Sequence, residues 1–260
     1  MLFLLTGEVQ IGKTRWLESL INDLTELGVP CAGVLAPGQW VPSTSSLADG
    51  NGFEKLGIDN VLLPGGERIA FARRQDLARA EGSFDEGSQA ARAALAWHID
   101  DAAIEQVNAH FDGLAARACA PSIAQVESRS RQDAVSPSRH PRRGGISPSR
   151  HPCLRVASAP GQPERSVRNE KPKDLALTPG LLVIDELGRL EICCGGGLTS
   201  AVDLLREGPT AAFPHALAVV RDYLLDDAET LLASAWSDRL RIVPNEASRR
   251  VVLGTFGFGA

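Results

Sequence analysis

Two short stretches of this chain carry residue types whose spacing suits phosphate chemistry. The first, Gly7-Glu-Val-Gln-Ile-Gly-Lys-Thr14, fits the pattern G-x-x-x-x-G-K-[ST]. Its glycines let the backbone curl so that successive N–H groups point inward at anionic oxygens. Lys13 places a point charge near the β- and γ-phosphates of a nucleotide, and Thr14 offers a hydroxyl to Mg²⁺. Gly7, Glu8, Val9, Gln10, Ile11, Gly12, Lys13 and Thr14 are therefore the candidate nucleotide-binding loop. The second stretch, Leu181-Leu-Val-Ile-Asp185-Glu186, is an apolar run that ends in two acids. Asp185 suits the acid that holds Mg²⁺, usually through water. Glu186 can orient an attacking water or accept its proton. A hydrolase needs that water activated, whereas a kinase brings its own acceptor hydroxyl, so Glu186 tilts the reading toward hydrolysis.

Further charges come from two arginines. Arg221 closes the apolar run Ala218-Val-Val, and Arg189 lies just past Glu186. Either could neutralise charge developing on a γ-phosphate, or could be a solvated side chain. The candidate catalytic set is Lys13, Glu186 and Arg221, and the candidate metal ligands are Thr14 and Asp185. No Asn-Lys-x-Asp string is present to read guanine, so loose base selectivity is expected. Other residues have plainer readings. Trp16 belongs to the apolar face of a helix. Trp97 and His98 read as core or connector before they read as base-stacking groups. Glu191 is expected to pair with an arginine, Cys193 and Cys194 to be structural, and Gly195-Gly-Gly197 to be a mobile hinge.

The elements that must position these residues alternate. Leu2–Leu5 reads as a buried strand. Lys13–Leu27 has Trp16, Leu17, Leu20, Ile21 and Leu24 at helical spacing, and Gly28 stops it. Val29–Leu35 is a second strand. Asn60–Leu63 and Arg68–Ala72 suggest a hairpin about Pro64-Gly65-Gly66. Helices are expected over Glu86–Ala96, Asp100–Ala118, Leu198–Arg206 and Asp226–Ala235. Strands are expected at Leu181–Ile184, Ala216–Val220 and Leu240–Val243. Strands and helices in alternation predict an α/β fold with a parallel sheet covered on both faces.

Composition bounds the rest. The chain has 260 residues, 43% of them hydrophobic and 23% charged, as in an ordinary globular protein. Its formal net charge of −5 argues against a dedicated nucleic-acid binder. No apolar run approaches the roughly 18 residues of a membrane span, and the apolar start lacks the basic flank of a signal peptide. The five cysteines include no C-x-x-C pair, which disfavours a zinc site and fits a cytoplasmic protein. From Pro121 to Thr178 the apolar periodicity is lost to Ser, Pro and Arg, with Ser-Pro-Ser-Arg-His-Pro at both 136–141 and 147–152. Eleven basic against five acidic residues between Glu127 and Asp174 give this stretch +6 and leave −11 for the remainder. Such a segment cannot bury enough apolar surface to offset its ordering entropy. Residues 121–178 are thus expected to be a disordered insert in one domain made of 1–120 and 179–260. A basic arm touching nucleic acid or an acidic partner is the less favoured reading of that insert.

The residues also resemble a known family. Asp185-Glu-Leu-Gly-Arg-Leu-Glu191 is similar to the Asp-Glu-Ile-Gly-x-(Met/Leu)-Glu signature of the thermophilic-type nucleoside-triphosphatase family, and Leu5–Thr14 resembles its phosphate loop. Gly33-Val-Leu-Ala-Pro37, Gly66-Glu-Arg68 with Ala72-Arg73, and Ala218-Val-Val-Arg221 resemble further segments, in the same order. The likeness spans the chain apart from the insert and the last fifteen or so residues. It departs at Val9-Gln10, where the family commonly has a further glycine or Pro-Gly, at Arg189, which replaces a frequent Lys or Pro, and at the insert. The resemblance implies a P-loop NTPase with a RecA-like, mostly parallel sheet flanked by helices. It also implies Mg²⁺-dependent hydrolysis of the β–γ bond of several nucleoside triphosphates, ATP and GTP among them. Three other readings remain open: a nucleotide or small-molecule kinase, a nucleotide-dependent switch or adaptor with little turnover, and a nucleic-acid-stimulated ATPase.

Overall fold

The computed structural model describes residues 1–119 and 178–258. The continuous apolar runs become the strands that are buried on both faces. β1 (Leu2–Leu5), β2 (Cys31–Leu35), β7 (Leu181–Leu187), β8 (His215–Val220) and β9 (Arg239–Ile242) lie parallel in the order β2-β7-β8-β1-β9. One strand, β8, separates the strand before the loop from the strand bearing the acids, the RecA-like order. Side chains alternate between two cores, as strand geometry requires. Leu2, Leu4, Val34, Leu182, Ile184, Ala216 and Ala218 face one core, which also holds Val107, Phe111 and Leu114 of α4 (Asp101–Cys119). Phe3, Leu5, Cys31, Leu181, Val183, Leu217 and Val219 face the other, with Leu17, Leu20, Ile21 and Leu24 of α1 (Lys13–Glu26). Burying each such leucine contributes about 1.5–3 kcal/mol, so α1 is held mainly by its apolar stripe. Gly28 ends α1 in a left-handed conformation, φ +83°, with its N–H on Thr25 O and that of Val29 on Leu24 O.

The sheet is mixed rather than mostly parallel. Beyond β2 the strands run antiparallel: β3 (Gly38–Pro42) and the 11-residue β4 (Phe53–Leu63) pair with each other, β4 pairs with β5 (Glu67–Arg74), and β5 with β6 (Trp97–Ile99). β4 joins this wing to the parallel half through Val61, Leu62 and Leu63 against β2. The hairpin forms as expected about Pro64–Gly66, but both strands are longer. The helix expected over Glu86–Ala96 shrinks to α3 (Gln89–Arg92), because Ala94 turns left-handed at φ 52° and Trp97–Ile99 pairs with β5 instead. Three more helices are not read from the sequence: α2 (Gln75–Glu81), α5 (Arg189–Cys193) and the last, α8 (Glu246–Thr255). Between them, α6 (Thr199–Arg206) and α7 (Leu225–Leu232) lie where helices are expected. Apart from Thr178, the insert expected over 121–178 lies outside the described residues.

Candidate functional site

Four strands of the parallel half send their carboxyl ends to one place, the edge where ligands bind in open α/β sheets. β1 leads into the Gly7–Thr14 loop, β2 into Ala36-Pro37, β8 into Arg221, and β7 carries Asp185 and Glu186. A cleft of about 950 Å³ opens over them, lined by Gly7, Gly12, Lys13, Thr14, Glu186 and Arg221 among others.

The loop is a nest built on positive φ: Gly7 at 137°, Gln10 at 66° and Gly12 at 95°. Gly12 is the residue before α1, so the first N–H groups of that helix and its positive dipole end face the cleft. Gln10 stands in the left-handed region where glycine is at ease, at a cost of about 1–3 kcal/mol. This falls within Val9-Gln10, the pair by which the loop departs from the pattern it otherwise resembles. Lys13 Nζ donates to Gly7 O at 2.7 Å and Glu8 O at 2.9 Å, which bends the lysine back over the loop. Val9 and Ile11 expose their side chains, and those of Glu8 and Ile11 do not line the cleft.

Asp185 lies beneath the cleft and is only 2% exposed. Its Oδ2 accepts from Ala36 N at 3.1 Å, and the Thr14 side chain lies close enough to favour the ionised carboxyl. Burial, reinforced by the neighbouring Glu186, pushes its pKa up to about 6, against the pull of the Ala36 N–H, the nearby Thr14 side chain and Lys55. β7 does not end at this acid. It runs on to Leu187, with the ladder to β8 broken between Ile184 and Leu187. Glu186 points into the cleft and accepts from Arg221, whose Nε is 2.8 Å and whose Nη2 is 2.7 Å from Oε1. The two side chains are 31% and 36% exposed, so the pair contributes little net stability and can rearrange at small cost.

The donor set suits Mg²⁺. A hydroxyl and a buried carboxylate adjoin at the head of the loop, both hard oxygen ligands, and Mg²⁺ typically takes one or two protein oxygens and completes its shell with phosphates and water. Among the described residues no group of three or more His, Cys, Asp or Glu side chains could hold a metal by itself.

Several expectations need correction. Arg189 is exposed at the start of α5 and does not line the cleft. Glu191 pairs with no arginine among the described residues. Its carboxylate instead accepts from Gly188 N at 2.8 Å and Leu198 N at 3.0 Å, bracing the turn after β7. Gly195–Gly197 is fastened rather than free: Gly197 N donates to Gln89 Oε1 and Gly197 O accepts from Asn108. Cys193 and Cys194 are exposed free thiols, while Cys31 is buried. Trp16, as expected, packs against the core on the apolar side of α1, with its indole N–H on Asn245 O. His98 is buried against Phe84, but Trp97 lines the cleft.

The antiparallel wing supplies cleft residues that the sequence does not single out: Trp40, Phe53 and Lys55. A lone lysine in a half-exposed strand has no diagnostic spacing. The only hint is the weak alternation of Phe53-Glu-Lys-Leu-Gly-Ile58.

The loop, the helix behind it, the strand order and the acids define an α/β fold of the P-loop NTPase class. Two solved structures are similar to it over most of their length. One is a crystal structure of THEP1 from the hyperthermophile Aquifex aeolicus, at 12% identity and a TM-score of 0.45, covering 98% of this chain and 96% of that one. The other is a solution structure of a human cancer-related nucleoside triphosphatase, at 16% identity and a TM-score of 0.46, covering 98% of this chain and 94% of that one. No protein-family model and no curated protein sequence matches the chain.

Proposed function

We propose that this protein is a Mg²⁺-dependent nucleoside triphosphatase with loose base selectivity, transferring the γ-phosphoryl group to water. The observation that carries this reading is the meeting of the Gly7–Thr14 loop with the buried Asp185 and the cleft-facing Glu186 at one edge of the sheet. The loop N–H groups and Lys13 bind the phosphates. Lys13 turns from its loop carbonyls to the β- and γ-oxygens. Thr14 and Asp185 would hold Mg²⁺, which when bound neutralises charge on those oxygens. Glu186 orients the attacking water, and Arg221, already beside it, offsets charge developing on the terminal phosphoryl group. The sequence has no Asn-Lys-x-Asp string with which to read guanine, in keeping with loose selectivity.

Phosphate release measured across ATP, GTP, CTP and UTP, with and without Mg²⁺ and with candidate acceptors, tests this. Turnover of all four with Mg²⁺, unaffected by acceptors, is expected. Lys13→Ala should weaken triphosphate binding by at least about tenfold, since it loses charge-assisted contacts. Glu186→Gln should bind normally while turnover drops roughly 100-fold. Wild-type turnover in Glu186→Gln would remove the water-orienting role, and normal triphosphate binding by Lys13→Ala would remove the loop.

A further inference from the structure

Four cationic side chains line the cleft: Arg15 stands exposed on α1, and Lys13 and Arg221 are engaged. Lys13 donates to the carbonyls of Gly7 and Glu8, and Arg221 pairs with Glu186. Lys55, from β4 in the antiparallel wing, is different. Among the described residues its ammonium has neither a hydrogen-bond acceptor nor an ion-pair partner. It rests over two indoles, 5.9 Å from the ring centroid of Trp40 and 5.4 Å from that of Trp97. A cation–π contact holds an ammonium through its charge and leaves its N–H bonds free to donate.

The bracket is built into the backbone. A Cβ on Gly38 would lie 2.6 Å from Trp40 Nε1 and 2.7 Å from Lys55 Cε, so any side chain there would displace both. Desolvation lowers the Lys55 pKa from its ordinary value, while Glu186 and Asp185 raise it and Arg221 lowers it further. The lysine is therefore within electrostatic reach of the acids where phosphate chemistry would occur, yet among the described residues no anion is paired with it. An incoming anion would restore what burial has removed.

We propose that Lys55 binds the terminal phosphoryl group of the triphosphate as a third cation beside Lys13 and Arg221, with Trp40 and Trp97 holding its ammonium in the cleft. This rests on the reading of the cleft as a nucleoside-triphosphate site and names a contact that reading lacked. The γ-phosphoryl group spreads its charge over three equatorial oxygens as it transfers, and cations fixed in place stabilise it without reorganising. A diphosphate has no such group, so Lys55 distinguishes substrate from product.

The test compares wild type with Lys55→Met and Lys55→Arg by phosphate release and by affinity for a non-hydrolysable ATP analogue and for ADP. Methionine keeps an unbranched stem against the indoles. Lys55→Met should lose roughly 100-fold in kcat, as when one transition-state donor is removed. It should weaken the analogue by about tenfold and leave ADP within about twofold, since only the analogue carries the lost charge-assisted contact. Lys55→Arg should recover most of both losses, which a role in packing alone would not predict. Equal weakening of analogue and ADP, or an unchanged kcat with unchanged analogue affinity, overturns the proposal. If Lys55→Met does not fold, tryptophan emission of the wild type decides: the saturating analogue should change it and ADP should not, and identical responses overturn the proposal. A wild type that neither binds nor hydrolyses ATP removes the reading of the cleft itself. A wild type that does both, with either overturning result in the variants, removes only Lys55.

Discussion

In the role proposed for it, Asp185 combines two requirements that oppose each other: burial, which favours its neutral form, and cation binding, which needs the carboxylate. Its pKa is pushed up to about 6, chiefly by desolvation. The ionised form, which the proposed Mg²⁺ site needs, is therefore lost as pH falls through 6. Mg²⁺-dependent turnover at limiting Mg²⁺ should drop about tenfold per pH unit below that point, and the midpoint should move down as Mg²⁺ is raised, because the ion favours the carboxylate. Stability has the opposite sign. Asp185 contributes stability that is fully present below the ordinary carboxylate range and lost as pH rises through about 6. Metal-free protein should thus unfold at a higher temperature at pH 5 than at pH 7 by comparison with Asp185→Asn, and an identical pH dependence in that variant would exclude the effect. Gln10 sits in strain of another kind, at φ 66°. Gln10→Gly should stabilise the protein by about 1 kcal/mol in denaturant unfolding, and a loss of stability would show that the side chain contributes more than the backbone saves.

At the scale of elements, the approach of β2 to β7 depends on Gly33. Its φ is +127°, and a Cβ there would lie 1.9 Å from Val183 O, a backbone atom with nowhere to retreat. Gly33→Ala should cost at least about 3 kcal/mol and lower the melting temperature by several degrees, because the ladder that aligns Ala36 with Asp185 must part. An unchanged melting temperature would mean that the two strands can slide. The same elements show what local pattern can reveal. Leu2–Leu5 and Leu181–Ile184 are readable because a strand buried on both faces is apolar throughout, and α1 because its stripe has helical period. β3, β6 and the first half of β4 are not, since they are half-exposed and are specified by pairing with distant partners. α8 escapes for a similar reason: Ser248 and Val252 are its only buried residues, which is little apolar signal for ten positions.

For the whole molecule, the parallel half announces its chemistry in its sequence and the wing does not. Gly7–Thr14 and Asp185-Glu186 are contiguous strings whose residue types are tied to phosphate handling. Lys55, Trp40 and Trp97 come together only through long-range pairing, so no spacing links them. The distribution of thiols is another molecular property. Cys31 is buried, and desolvation pushes its pKa up to about 12, whereas Cys193 and Cys194 are exposed. Alkylation followed by peptide mapping should label Cys193 and Cys194 in the native state and Cys31 only after unfolding. Rapid native labelling of Cys31 would mean that its face of the sheet opens. The stability that the protonated Cys31 thiol contributes is present below the ordinary thiol pKa near 9 and declines as pH rises toward 12. Within the sheet, the two halves are stitched together by three rungs, Gly33, Val34 and Leu35 of β2 against Leu63, Leu62 and Val61 of β4. A seam this narrow concentrates any breathing between the halves. The jaws of the cleft belong to opposite sides of that seam, and one core crosses it, with Leu62 and Ile69 packed among the side chains of β1, β2 and α4, so the width of the mouth is set by shared packing as well as by those rungs.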